Sequence, residues 1–536
     1  MTTQVASNKP EFSLHASLAF FESELFARVQ MAGLFADSKT FADATPKRTI
    51  DDILADYEQQ HRSPNFNLQQ FVSSNFELPK PIVLEAVSKA DVNPAPEQAL
   101  SMLEHIDLLW GILQRNADVS LPNSLIPLPH PYIVPGGRFR EIYYWDSYFT
   151  AIGLVQVGKS EVVVAMLKNF LSIQQRLGLI PNGSRTYYYS RSQPPVLALY
   201  IALLKEQTSV FKGEEGERFF AQCIAGLETE YWFWMQSEQS LPNEPLMQHC
   251  SAAKRVVRMH GGELLNRYWD DQATPRPESY REDVELAKDL ENKPLFYRNI
   301  RAACESGWDF SSRWFENGQD LTSIQTTHIV PVDLNALLYF CEEKLGQWQA
   351  DVGQPETAYR YAQRALERKA ALTRYCYLDD QGFFVDYNFM TKAPSSALSL
   401  AAVVPLFVGM ASPEQAQSVA SKLQQDFLQA GGLQTTLRNT AQQWDAPNGW
   451  APLQWFAVIG LQQYGHNELA STIMQNWINT ASDFYQQHGC MMEKYDVSGT
   501  QAHAKGGEYE VQQGFGWTNA VTMMFCHYVS KAKAQN

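Results

Sequence analysis

The chain lacks most features that would send it to a nucleic acid, a membrane or a metal. Its 43 Lys and Arg stand against 58 Asp and Glu, a net charge of −15, and the basic residues form no stripe. That balance excludes a polyanion as the natural partner and suits a neutral or cationic ligand. No apolar run approaches the ~20 residues of a membrane span, so neither a membrane nor a nucleic acid is expected as partner. The first ten residues, Met1 to Pro10, hold no basic segment followed by an apolar run and a cleavage site, which predicts an unexported, cytoplasmic protein. The seven cysteines are odd in number and widely spaced, with no Cys-x-x-Cys, so neither a zinc site nor a disulfide framework is expected. The eleven histidines contain no His-Glu-x-x-His, and no metal or cofactor is called for. Linkers and repeats of fixed period are also missing, which favours one large domain over a string of modules or an open solenoid.

Helical periodicity and aromatic residues fill the chain instead. Leu100, Leu103, Ile106 and Leu113 share one stripe, as do Val332, Leu334, Leu337, Leu338, Cys341 and Leu345. Further helical runs occupy about 160–177, 194–209, 216–238, 355–374, 451–463, 467–485 and 515–530. Ser412-Pro-Glu-Gln415 reads as a capping box with proline in the first turn. Strand signal is scarce; the clearest is a hairpin turning at Asp379-Asp-Gln-Gly382. An all-α chain of 536 residues without a repeat suits a toroid of paired helices, an inner ring within an outer one. The first 95 residues, broken by Pro and Asn, read as an arm packed on a toroid formed by 96–536.

Three segments mix arginine, carboxylates, glycine and aromatics in a way that suits a sugar-binding wall. They are Pro135-Gly-Gly-Arg-Phe-Arg-Glu-Ile-Tyr-Tyr-Trp-Asp-Ser-Tyr-Phe149, Gln443-Trp-Asp-Ala-Pro-Asn-Gly-Trp-Ala-Pro452 and Gly506-Gly-Glu-Tyr-Glu510 running into Gly514-Phe-Gly-Trp517. Aromatic faces stack on pyranose C–H faces, and charged groups make strong hydrogen bonds to hydroxyls that lose water on burial. Glycosidic cleavage needs one carboxylic acid and one carboxylate. Asp309, between Trp308 and Phe310, and Glu493, beside two methionines and near Tyr495, are the candidates. Taken alone, either is more often a solvated helix end or a structural ion-pair partner, and Trp145, Trp444, Trp450 and Trp517 are by default core. Asp445 is as easily explained by its Pro-Asn-Gly turn.

Taken together and in order, these motifs, with Pro181-Asn-Gly-Ser-Arg185, Arg191-Ser-Gln-Pro-Pro195, Arg276-Pro277-Glu278, Glu305-Ser-Gly-Trp-Asp309 and Gly506-Gly-Glu508, give a chain that resembles the α,α-trehalases of the (α/α)6-toroid glycoside hydrolases. The resemblance implies an inverting hydrolase that splits trehalose into two glucose molecules without metal or cofactor. It makes Asp309 the general acid and Glu493 the general base. By the same resemblance Arg138, Arg191 and Arg276 clamp the sugar of the departing side, with Asn182, Ser192, Gln193, Pro277, Glu278 and the backbone at Gly307 beside them. Phe139, Tyr143, Trp145 and Asp146 suit the pocket of the attacked glucose, and Glu508 matches a substrate-contacting carboxylate. A monomer is expected. The run His503-Ala-Lys-Gly-Gly-Glu508 departs from the family's glycines at Ala504 and Lys505, and Ala520 stands in place of another. Hydrolysis of another glucoside, or a silent trehalose sensor, are the alternative readings.

Overall fold

The computed structural model describes residues 12–79, 100–242, 249–499, 504 and 506–535. Between 102 and 535, helices alternate between an outer and an inner position. We label them in chain order: α1 (Met102–Leu113), α2 (Tyr144–Gln156), α3 (Ser160–Leu177), α4 (Leu197–Gln207), α5 (Gly213–Met235) and α6 (Val332–Asp351). There follow α7 (Pro355–Cys376), α8 (Val404–Phe407, continuing a 3-10 turn), α9 (Pro413–Lys422), α10 (Ala451–Gln463), α11 (Asn467–His488) and α12 (Gly516–Gln535).

The even-numbered helices touch in the sequence α2, α4, α6, α8, α10, α12 and back to α2, which closes a ring. Outside it, α3 backs α2, α5 backs α4, α7 backs α6, α11 backs α10 and α1 backs α12. The architecture is the (α/α)6 toroid. Residue chemistry explains the two rings. α2 is buried continuously from Tyr144 to Leu154 and α10 almost throughout, as expected of helices that meet neighbours on every side. On α3 the buried residues include Val163, Met166, Leu167, Phe170, Ile173 and Gln174, one stripe at helical spacing. α2 and α12 meet closely at Gly153, where an added Cβ would stand 2.7 Å from that of Ala520. Alanine is therefore small enough at 520, where a glycine was expected.

The capping box at Ser412 and Gln415 forms, as does the hairpin pairing Tyr377–Leu378 with Phe383–Phe384. The sequence reading passed over α2, because its first turn carries polar and aromatic residues unlike an ordinary helix start. It also passed over the helix Lys293–Glu305, begun by an Asn292 cap and a proline.

Among the described residues five short helices precede the toroid: Leu14–Phe21, Glu24–Met31, Ser38–Ala42, Ile50–Gln60 and Leu68–Asn75. Each has a side-chain N-cap, from Ser13, Ser23, Asp37, Thr49 and Asn67. Helices this short need such caps and a packed face. That face is a phenylalanine cluster around Phe20, Phe26, Phe41 and Phe76, which Tyr143, Tyr187 and Tyr188 of the toroid join. The arm boundary expected near 95 lies outside the described residues. Among the described residues no helix is long and apolar enough to cross a membrane.

Candidate functional site

One cavity gathers residues from the connections that enter α2, α4, α6, α10 and α12. The site thus lies at the N-terminal ends of inner helices, where backbone N–H groups and helix dipoles favour negative charge.

Before α2, the chain turns at Gly136 (φ 127°) and Gly137 (φ 56°), and a Cβ on Gly137 would strike Gln512 Oε1 at 2.2 Å. This close docking sets Arg138, whose N–H donates to Gln512 Oε1 at 2.8 Å and whose guanidinium lies 4.9 Å over the Tyr509 ring. Phe139 meets Tyr143, Tyr509 and Phe515 edge-on. Tyr143 donates to Glu141 and pairs with Tyr188. Trp145 and Asp146 occupy the first turn of α2, with the Trp145 N–H bonded to Gln193 Oε1 at 3.0 Å. Burial raises the Asp146 carboxyl well above its usual range, and the nearby Glu493 and Asp309 add to this.

Before α4, Arg191 is wholly buried and donates to Asn182 Oδ1, to Asp270 at 3.3 Å and to Glu278 at 2.7 Å. Arg276 grips Asp283 with Nε and Nη2, and Nη2 also reaches Glu508 at 3.0 Å. The helix Lys293–Glu305 then ends, and Gly307 (φ 74°) reverses the chain flat against Trp145, whose indole an added Cβ would meet at 2.9 Å. Asp309 follows on the cavity wall. Burial pushes its carboxyl up to about 7, against the pull of Arg276. At that value it is substantially protonated at neutral pH.

Opposite in character is the segment before α12. Glu493 is 1% exposed. Its backbone is fixed by bonds to the Gln512 carbonyl, the Trp517 indole N–H and the Thr518 hydroxyl. Its Oε1 accepts from the Tyr509 hydroxyl at 2.9 Å, while Oε2 has no protein partner. Burial raises its pKa, opposed by Lys494 and by the Tyr509 bond. Glu508 is likewise raised by burial and held down by Arg276. Trp444, Trp450 and Trp517 complete the wall, Trp444 lying parallel to Trp450 at 3.9 Å.

The expected residues therefore converge on one cavity, with two exceptions. Ser192 spends its hydroxyl on the Ile180 carbonyl and its N–H on Glu305, and Pro277 faces the arm, where its carbonyl accepts from Gln30; neither lines the cavity. Asp445 is also off the wall, accepting from Ser311, Ser312, Thr436 and Thr440, which makes it a structural hub. Asp37, Ser38 and Lys39 of the arm, Tyr188 and Cys304 also line the cavity without having been expected there, while Tyr509 and Phe515 belong to a segment expected as wall but were not named individually. Tyr509 had a visible signal, an aromatic adjoining Glu508; the arm residues had none. Of the altered lid positions, Lys505 lies outside the described residues. No group of three or more His, Cys, Asp or Glu among the described residues is arranged to hold a metal.

Two buried carboxylates on one cavity, one protonated near neutrality and one with a free oxygen, can protonate a leaving oxygen and draw a proton from water. Comparison with known proteins agrees. The family described as Trehalase matches residues 33–530. A periplasmic trehalase of Escherichia coli (strain UMN026) is 44% identical over 502 residues, covering 93% of this chain and 85% of the relative; one from strain S88 matches equally. Among solved structures, the neutral trehalase of Saccharomyces cerevisiae is 26% identical with a TM-score of 0.61, covering 74% of this chain and 73% of the other. The GH63 mannosylglycerate hydrolase from Thermus thermophilus, in complex with glucose, shares the fold at 17% identity and TM-score 0.52, covering 78% of this chain and 98% of the other. These relatives overturn the cytoplasmic location expected above, since the curated ones are named periplasmic. The cysteines do not discriminate between compartments: all seven are free, and four of them are buried. By the span of the match and the identity to these relatives, the chain belongs to the trehalase family.

Proposed function

We propose that this chain hydrolyses α,α-trehalose to two glucose molecules in a single displacement with inversion, Asp309 acting as general acid and Glu493 as general base. The observation that carries this reading is the unequal surroundings of two buried carboxylates on one cavity. Asp309 holds its proton near neutrality, as a group that must protonate the glycosidic oxygen requires. Glu493 keeps Oε1 on Tyr509 and leaves Oε2 free, the arrangement a base needs to hold and deprotonate the attacking water. As bond cleavage proceeds, the Asp309 proton passes to the departing oxygen while the water's proton passes to Glu493, so charge is conserved across the site.

Arg191 and Arg276 suit the sugar of the departing side, because their own carboxylate partners hold their forks in place before substrate arrives. Phe139, Trp145 and Asp146 suit the glucose under attack. In this reading the arm, 1–95, and the toroid, 96–536, act as one unit and as a monomer. Asp37, Ser38 and Lys39 on the cavity wall support the joint action.

Proton NMR of the purified protein with trehalose tests the proposal. One β-glucose and one α-glucose released per trehalose in the first minutes is the expected result. Two α-glucoses would refute inversion, and binding without turnover would refute the catalytic roles.

A further inference from the structure

Lys494 differs from the other fully buried basic side chains near the site. Arg191, Arg255, Arg276 and Arg313 each touch a carboxylate within 3.3 Å. Lys494 is 0% exposed, yet no carboxylate of the described residues lies within ion-pair distance of it. Its Nζ donates instead to Gln443 Oε1 at 2.8 Å and to the Gly506 carbonyl at 3.3 Å, and it faces the rings of Trp450 at 5.0 Å and Tyr509 at 5.9 Å. Burying an ammonium with only neutral acceptors is costly. It is sustained by the Glu493 carboxylate, whose charge opposes the lowering effect of burial on the Lys494 ammonium.

Gln443 completes the arrangement. It is buried, its Nε2 donates to the Asp309 carbonyl, and its own backbone carbonyl accepts from the Trp450 indole N–H at 2.9 Å and Asn448 Nδ2 at 3.1 Å. The loop that carries Glu508 lies flat on this amide: a Cβ on Gly507 would come within 2.8 Å of Gln443 Oε1. One side-chain amide and one ammonium thus join the Asp309 segment, the Glu493 segment and the Glu508 loop. Neither side chain lines the cavity.

We propose that Gln443 and Lys494 form a clasp that fixes the two carboxylate segments relative to each other, with the Lys494 ammonium supplying the positive field that keeps Glu493 ionised. Both are positioning residues, and the proposal rests on the reading of Glu493 as base. The charged and titratable groups that face Glu493 are Lys494 from its own segment, Tyr509 from the loop, Arg138 from the turn before α2, Asp146 from α2 and Asp309 across the cavity. Arg138 is the only other cation in that set, and it already stacks on Tyr509.

The test is the pH profile of kcat/KM for Lys494→Met, Lys494→Arg and Gln443→Glu, with Glu493→Gln as control. Removing the ammonium (Lys494→Met) or neutralising it with an adjacent carboxylate (Gln443→Glu) favours protonated Glu493. Both variants should move the acidic limb up by about one pH unit, so that kcat/KM falls about tenfold at pH values below the limb and much less on the plateau above it. Lys494→Arg keeps the charge and should leave the limb where it stands. If Lys494→Met fails to fold, Lys494→Gln, which keeps a donor for Gln443 Oε1 without the charge, carries the electrostatic result, since Gln443→Glu also loses the donor to the Asp309 carbonyl. An unmoved limb in the folded variants would overturn the electrostatic role, and wild-type rates in them would overturn the clasp. Retained turnover in Glu493→Gln would instead refute the base assignment, whatever the clasp variants do.

Discussion

The wall that carries Asp309 is ionic, whereas the wall that carries Glu493 is aromatic. Around Asp309, Arg191 sits between Asp270 and Glu278, and Arg276 between Asp283 and Glu508. Around Glu493 stand Tyr509, Trp450, Trp517 and a lysine bonded only to neutral atoms. Burial raises both carboxyls, but what opposes it differs. Asp309 answers to Arg276, while Glu493 answers to Lys494 and the hydroxyl of Tyr509. A site that runs acid and base chemistry at one pH needs such unequal surroundings for two otherwise similar groups.

The largest effects should come from abolishing the inequality. Asp309→Asn cannot donate the proton and Glu493→Gln cannot accept one, so each should lower kcat about 10²–10⁴-fold with the fold intact. Initial rates with trehalose, beside a circular dichroism spectrum, check this. In the wild type the basic limb of kcat/KM should lie at about 7, because the rate falls as Asp309 loses its proton. Sign matters for stability too. The folded-state pKa of Asp309 is raised, so the unfolded chain ionises it more readily, and the native state loses stability as pH rises toward and through about 7. Asp309→Asn removes that penalty and should melt higher than wild type at pH 8; an equal or lower Tm would mean that folding does not raise the Asp309 pKa.

The arginines separate the walls by stability. Arg191→Ala leaves Glu278 without its ion-pair partner in a buried place and Asp270 with Arg301 alone, and should cost about 3–5 kcal/mol of folding stability as well as activity. Arg138 has no carboxylate within ion-pair distance among the described residues and only the Tyr509 ring beneath it. Arg138→Ala should leave stability within about 1 kcal/mol of wild type, the scale of one such contact, while kcat/KM falls. Urea unfolding of both variants decides. Equal losses would show that the ionic wall is no more structural than the aromatic one.

Much of this contrast was legible in the chain. The outer helices announce themselves by a stripe such as Val163, Met166, Leu167 and Phe170, because only one face is dry. Inner helices are harder to read: α2 is buried all round and starts with functional residues, so its pattern has no polar face to mark a period. Asp309 and Glu493 stand out as acids among aromatics, while Arg138, Arg191 and Arg276 are assigned by the family resemblance, and all five meet on one cavity. Ser192 and Pro277 were carried along with their neighbours, but an adjacent residue in a loop points elsewhere. Asp37 and Lys39 reach the wall only because the phenylalanine cluster docks the arm, with Lys39 held by Asp43, Glu141 and Tyr187. No local pattern encodes that placement.

Trp444 sharpens the comparison at its smallest scale. Its ring lies parallel to Trp450 at 3.9 Å and stacks on Trp308 at 5.4 Å, and it is 2% exposed. With its ring stacked on two other indoles, it has little face left for a sugar. Phe139, by contrast, meets its three aromatic neighbours edge-on. Trp444→Phe should therefore lose about 1 kcal/mol of stability from the stack and change KM less than about fivefold. Phe139→Leu, which removes a ring with an unstacked face, should raise KM more while costing less stability. Should Trp444→Phe prove the variant with the larger KM, the indole stack is a sugar platform, and the aromatic wall binds through its faces more than through its shape.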